Sequence, residues 1–413
     1  MGCLKVLAIS MSVLMIGLSA YLYTPVPDDM TEPWKLRSIL AAFKMVKLIS
    51  GVSEMVGLGS RVNVTRGLIK MFATQAVASK SDPLLKVTDT RLSGIPVRIY
   101  RPKSAPTPSP ALVYFHGGGW IFGSVDQYDE FTAEIARAAN IVVMSVEYRL
   151  APEHPFPIPF EDCVTATLHL LQNPKQYGVD GNRIAVGGDS AGGNLAAAIA
   201  KRFSDEPTSY IQRLKFQLLI YPVLQPFDFN LPSFHKFKDD PMLSKEEVVI
   251  CWILYLGLKE PEKYYQDFAT NNHTSMILKY SDYARSVSQE LLPERFQTPP
   301  MDILNKNEGN DALSNQIEAI ILDATFAPLL AQNLTQVPPA YIMTADTDVL
   351  RDEGMIYAER LRRAGIRVNT YHVKQASHGF CYMYLSYSFT QLEVCHRALK
   401  EIVNYIEVNM NKE

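Results

Sequence analysis

Basic runs, basic helix faces and internal repeats are all missing from this sequence, and its net charge is only −3. Nucleic-acid binding needs clustered positive charge and a repeat architecture needs a fixed period, so neither class is supported. Cysteine is scarce. The five residues, Cys3, Cys163, Cys251, Cys381 and Cys395, are scattered with no C-x-x-C pair, which argues against a zinc site. With Cys3 set apart at the terminus, the other four are either disulfide partners in an oxidising compartment or buried thiols. Long apolar runs are rare too: residues 6–23 alone form an uncharged stretch of bilayer-spanning length.

That stretch follows Lys5, precedes Asp28, Asp29 and Glu32, and ends in the interfacial aromatics of Tyr21-Leu22-Tyr23. It reads as a signal-anchor with a short cytoplasmic tail at 1–5, because positive charge holds its N-terminal side in the cytoplasm. The competing reading is a cleaved signal peptide, which Gly17 and Ser19 permit. Gly2 is not a myristoylation site, since Val6 stands where Ser or Thr is required. Sequons at Asn63, Asn272 and Asn333 agree with a lumenal body as glycosylation candidates.

The remainder of the 413 residues, 47% of them hydrophobic over the whole chain, is ordinary globular material with enough apolar content for a large core. Residues 33–80 carry apolar positions at three- and four-residue spacings, which predicts a pair of helices in a segment spanning 24–90. They either roof the later domain, rest on a membrane surface or form a simple structural extension. From Ile95 the pattern becomes alternating, and apolar strands are expected at Ala111–Phe115, Ile141–Val146, Ile184–Gly187, Phe216–Tyr221 and Ala340–Thr344. Helix-length segments separate them, so the fold class is α/β, with a mostly parallel sheet flanked by helices. One domain is divided into a first part at 91–222 and a second at 336–413. Between them, 223–335 is Pro-, Asn- and aromatic-rich, with a helix at Ser244–Leu258 and no persuasive strand, and reads as a lid insertion. A helix at Asp352–Ala364, a strand at Arg367–Val373 and a helix from about Ser388 close the chain.

The chemistry concentrates at Gly188-Asp189-Ser190-Ala191-Gly192, a strand-turn-helix junction that exposes the Ser190 hydroxyl at a helix N-terminus, where amides and dipole favour developing negative charge. An acyl-transfer nucleophile needs oxyanion donors, a base and an orienting acid. His116-Gly117-Gly118-Gly119-Trp120 follows a buried strand, and the amides around His116, Gly117 and Gly118 join that of Ala191 as the expected oxyanion hole. Of eight histidines, His378 sits in a loop after the last strand, at the carboxyl edge of the sheet. His372 lies within a strand, and His169 and His396 lie within helices, where packing accounts for them. Asp346 and Asp348 are both placed to orient the base, and spacing does not separate them.

These motifs, with Tyr148-Arg149-Leu150-Ala151-Pro152, Tyr221-Pro222, Asp348-Val-Leu-Arg-Asp-Glu-Gly354 and Ser377-His-Gly-Phe380, resemble the hormone-sensitive-lipase group of α/β-hydrolases. The anchor followed by Tyr23-Thr-Pro-Val-Pro-Asp28 and Glu32-Pro-Trp34 is similar to the arylacetamide deacetylase branch. The resemblance implies an α/β-hydrolase fold, Asp348 as the acid, and a catalytic body in the endoplasmic reticulum lumen behind a single-pass type II anchor. It also implies hydrophobic small-molecule esters, arylacetamides or neutral lipid esters as substrates. The expected activity is serine carboxylic ester hydrolysis by Ser190, Asp348 and His378, with no metal or organic cofactor. The alternative is a non-catalytic α/β-hydrolase acting as a receptor, and a peptidase on the same scaffold is a further rival.

Overall fold

A computed structural model describes residues 2–26, 32–73, 79–205, 214–299, 309–383 and 391–410. The helix α1 (Gly2–Leu22) is apolar and exposed, and among the described residues it is the one helix long and apolar enough to cross a membrane. Helices α2 (Pro33–Met55) and α3 (Arg61–Ala73) form a hairpin, parted where Gly57 and Gly59 adopt positive φ. The domain proper opens with a hairpin of β1 (Leu85–Leu92) and β2 (Ile95–Pro102) around Ser93 and Gly94, both at positive φ as a tight two-residue turn demands.

The next elements are β3 (Ser109–Phe115), α4 (Asp129–Ala139), β4 (Val142–Val146), α5 (Ile158–Gln172), β5 (Val179–Asp189), α6 (Ala191–Asp205) and β6 (Leu214–Ile220). The insertion then contributes α7 (Pro232–Lys236), α8 (Lys245–Tyr255), α9 (Pro261–Ala269), α10 (Met276–Lys279), α11 (Asp282–Ser286) and α12 (Asp311–Ile321), with no strand among its described residues. Ser244 caps α8 reciprocally with Glu247, which fixes where that helix begins. The core resumes with β7 (Ala340–Thr347), α13 (Arg351–Arg363), β8 (Val368–Ser377) and α14 (Glu393–Met410).

One eight-stranded sheet results, in the order β1-β2-β4-β3-β5-β6-β7-β8, antiparallel at β1-β2-β4 and parallel from β4 onward. The central strands are apolar on both faces for a visible reason. Ala111, Val113 and Phe115 of β3 enter the core shared with α5, α6 and α13, whereas Leu112 and Tyr114 enter the core shared with α4 and α14. Each fully buried aliphatic or aromatic side chain contributes about 1.5–3 kcal/mol, so two covered faces sustain a sheet of this size.

The sheet starts earlier than the sequence indicates: β1 occupies Leu85–Leu92, across the boundary expected at 91. Leu85 and Leu92 are its only buried residues, because an edge strand paired on one side needs little apolar alternation. Cys163, Cys251, Cys381 and Cys395 are free thiols.

This edge is pinned by charge. Asp129, 1% exposed, accepts from the Arg98 guanidinium at 3.0 Å, the Tyr100 hydroxyl at 2.8 Å and the Ser79 hydroxyl at 2.7 Å. Arg98→Met strips a buried carboxylate of its counter-charge and is expected to lower stability by about 3–5 kcal/mol, read as a shift of the urea unfolding midpoint.

Candidate active site

Strand β5 runs into Ser190 and α6 starts one residue later, so the chain reverses within a single position, and Ser190 takes φ +54°. That conformation is uncommon for a residue with a Cβ and is held here by its surroundings: the Ser190 amide donates to Ile220 at 2.9 Å and its carbonyl accepts from Asn194 at 3.1 Å. Gly192 permits the approach of α6 to β3, since a Cβ there would lie 1.9 Å from the Phe115 carbonyl oxygen. Ser190 is 9% exposed, at the carboxyl edge of the parallel sheet.

The loops after β7 and β8 bring two more groups to it. Nε2 of His378 lies 2.9 Å from the Ser190 hydroxyl oxygen, and its Nδ1 lies 2.9 Å from a carboxylate oxygen of Asp348. Asp348 is fully buried, and its other oxygen accepts from the Leu350 amide at 2.8 Å. The two aspartates that spacing leaves equivalent are separated in space. Asp346 is 42% exposed and faces His372 at 3.4 Å, away from Ser190. The His378 ring meets Tyr221 edge-on at 4.7 Å, which restricts its rotation.

The glycine loop departs from the expected donor set. The Gly117 amide donates to Asp189 at 2.9 Å, so it is spoken for. His116 is fully buried, its ring stacked on Tyr148 at 4.3 Å and its Nδ1 2.8 Å from the Gly117 carbonyl; burial pushes its pKa down to about 4, so it stays neutral. Its ring therefore braces the loop from behind. The Gly118, Gly119, Trp120 and Ala191 amides find no hydrogen-bond acceptor among the described residues. Gly118 turns the loop at φ +111°, a conformation closed to other residues.

Asp189, the residue before the serine, ties these parts together. It is 1% exposed and accepts from Tyr114 at 2.8 Å, Tyr128 at 2.9 Å and the Gly117 amide. Burial raises its pKa, and those donors with the nearby His378 pull it back. Composition gave no sign of this role, although its place in Gly188-Asp189-Ser190 marks the position; the two tyrosines come from β3 and from the residue before α4 and carry no local signal.

Roofing residues come from the insertion and the α2–α3 hairpin. Tyr255 of α8 stacks on Trp120 at 4.2 Å and Trp252 packs beside it at 4.6 Å, while Cys251 abuts Gly119 so closely that a Cβ there would lie 2.5 Å from its sulfur. Arg66 of α3 donates to the Ile121 and Ala151 carbonyls at 2.8 and 2.6 Å, and Leu36 and Ile39 of α2 line a small crevice with Met242 and His378. Of the sequons, Asn63 is exposed on α3. Asn272 is engaged, its side-chain nitrogen donating to Asp267 at 2.7 Å beside a Thr274 that is 1% exposed. Asn333 is exposed, with its side-chain oxygen accepting from the Thr335 amide and hydroxyl.

A serine, histidine and aspartate in hydrogen-bonded series beside free amides, on a doubly wound sheet, define a hydrolase of the α/β class. A family model described as the alpha/beta hydrolase fold matches residues 112–284 and 288–382. Bovine arylacetamide deacetylase is 36% identical over 96% of this chain and 98% of its own length. Mouse neutral cholesterol ester hydrolase 1 is 34% identical over 96% of this chain and 98% of its own. Among solved structures, a thermophilic carboxylesterase cloned from a metagenomic library is 28% identical with a TM-score of 0.63, covering 85% of this chain and 98% of that one. The chain belongs to the arylacetamide deacetylase-like branch of the hormone-sensitive-lipase group of α/β-hydrolases, and it is a carboxylic ester hydrolase.

Asp189→Ala leaves Ser190 and His378 in place but frees the Gly117 amide and two tyrosine hydroxyls inside the core. The expected result is a fall in kcat of about 10²–10³-fold, comparable to loss of an oxyanion donor, with KM for a short p-nitrophenyl ester little changed.

Proposed function

We propose that the chain is a membrane-anchored serine hydrolase of lipophilic carboxylic esters, working through Ser190, His378 and Asp348. The observation that carries this reading is the unbroken series Asp348–His378–Ser190, each link 2.9 Å long. Ser190 Oγ attacks the ester carbonyl carbon as its proton passes to His378 Nε2, and the carbonyl electrons move onto oxygen. Gly118, Gly119 and Ala191 stabilise that oxyanion, in place of the His116 and Gly117 donors expected from sequence. Asp348 holds the imidazole by Nδ1 and balances its transient charge. Collapse of the adduct breaks the bond to the alcohol, which takes the proton from His378. Water deprotonated by the same ring then attacks the acyl-serine, releasing the acid and regenerating Ser190.

The substrate class follows from the surroundings. The segments packed on the glycine loop and beside His378 are aromatic and aliphatic, from Trp120, Trp252, Tyr255, Leu36 and Ile39, which fits hydrophobic acyl or alcohol groups better than peptides. The names of the relatives, an arylacetamide deacetylase and a neutral cholesterol ester hydrolase, supply the two substrate types to compare. Helix α1, exposed along its described apolar side chains, is read as a type II anchor that places the domain in the lumen of the endoplasmic reticulum.

Ser190→Ala is expected to lower hydrolysis of a short p-nitrophenyl ester by about 10⁴–10⁶-fold and to abolish labelling by a fluorophosphonate. Full activity in that variant would sink the mechanism, and an unlabelled wild-type chain would return the receptor reading. Glycan occupancy checks the topology: Asn333→Gln is expected to remove one oligosaccharide from the membrane-expressed chain, whereas Asn272→Gln leaves the mass of the glycoform unchanged.

A further inference from the structure

Helix α2 is amphipathic in the wrong sense for a water-exposed rim. Its polar side chains turn toward the domain: Lys47 pairs with Glu247 of α8 at 2.6 Å, and Ser50 is fully buried. Along its second half the apolar ones turn outward. Leu48, Ile49, Val52, Met55 and Val56 recur along one stripe, Leu58 continues it at the hairpin tip, and their exposures run from 37% to 80%. Between Lys47 and Arg61 the sequence holds one charged residue, Glu54, and its carboxylate accepts from the Arg61 amide at 2.9 Å. Six large apolar side chains in one exposed stripe mark a contact surface rather than the usual scatter.

The neighbourhood of α1 says what covers that surface. Lys44 Nζ donates to the Tyr21 and Tyr23 carbonyls at 2.9 and 3.2 Å, and its ammonium lies 5.7 Å from the Tyr21 ring. Cation and aromatics thus close the C-terminal end of the apolar helix, the arrangement that belongs at a membrane-water interface. Leu48 follows one helical turn after Lys44, and Met55 lies about 16 Å along α2 from it. The apolar stripe therefore begins at the level where α1 leaves the bilayer.

On these grounds we infer that the α2–α3 hairpin is a second membrane contact, seating Leu48 through Leu58 among the lipid acyl chains beside the anchor. The inference rests on the anchor reading above and extends it to substrate supply. The outer face of α2 meets lipid, while Leu36 and Ile39 on the same helix border the crevice beside His378. A hydrophobic ester dissolved in the bilayer then reaches Ser190 along α2 without crossing water.

The test uses the full chain in phosphatidylcholine vesicles containing a phosphatidylcholine with a diazirine in its acyl chain. After irradiation, peptide mapping is expected to find lipid adducts both in residues 6–22 and in residues 48–58. Adducts in 6–22 alone overturn the hairpin contact and leave the anchor intact, including the case in which a second copy covers the stripe. Absence of adducts in 6–22 refutes the anchor separately. In a paired assay, Met55→Glu with Leu58→Glu is expected to cut hydrolysis of a vesicle-borne long-chain ester about tenfold while soluble p-nitrophenyl acetate stays within about twofold. Unchanged vesicle-borne turnover, or an equal fall on both substrates, overturns the lipid route.

Discussion

The carboxylate of Asp189 is the constraint on which the rest of this site depends. It belongs to the nucleophile-bearing turn, but its partners do not: Tyr114 comes from β3, Tyr128 from the residue preceding α4, and Gly117 from the glycine loop. A buried carboxylate is tolerated only when donors surround it, so the fold must bring those groups to one point. Once they are there, the position of the loop relative to Ser190 is no longer free. With the Gly117 amide consumed, the loop turns at Gly118 immediately after that anchor point.

The two roofing segments differ in how they are held. The α8 side is locked by aromatic stacking of Tyr255 and Trp252 on Trp120, and by Phe326, which stacks on Tyr255 at 5.2 Å. On the hairpin side, Arg66 on the Ile121 and Ala151 carbonyls and the Lys47–Glu247 pair add polar ties to the buried packing of Leu36, Ile39 and Leu40. The aromatic lock thus lies on the α8 side, and the hairpin side borders the small crevice beside His378.

The central strands were legible in the sequence because burial on both faces demands continuous apolar runs, as at Ala111–Phe115. The insertion's helix at α8 showed through its Ser244 cap. Strand β1 was hidden because an edge strand needs few apolar residues, and its boundary was displaced accordingly. Ser190 and His378 stood out by motif, but the choice between Asp346 and Asp348 needed either a resemblance or coordinates, since both end the same strand turn. Of the donors expected in the glycine loop, the Gly117 amide is engaged elsewhere for a physical reason. A sequence does not reveal that an amide is already occupied by a carboxylate 72 positions away.

The contact between Gly192 and the Phe115 carbonyl reaches beyond local geometry. It welds α6 to β3 with no room for a methyl group, and the same strand carries the glycine loop at its end. The serine turn and the glycine loop thus form a single piece that gradual substitution is poorly able to retune. Adaptation toward a new ester is channelled into the hairpin and the insertion, where side chains change without disturbing the bond-breaking parts. In a family of this build, divergence in substrate is expected to be written in the roof, while the floor keeps one chemistry.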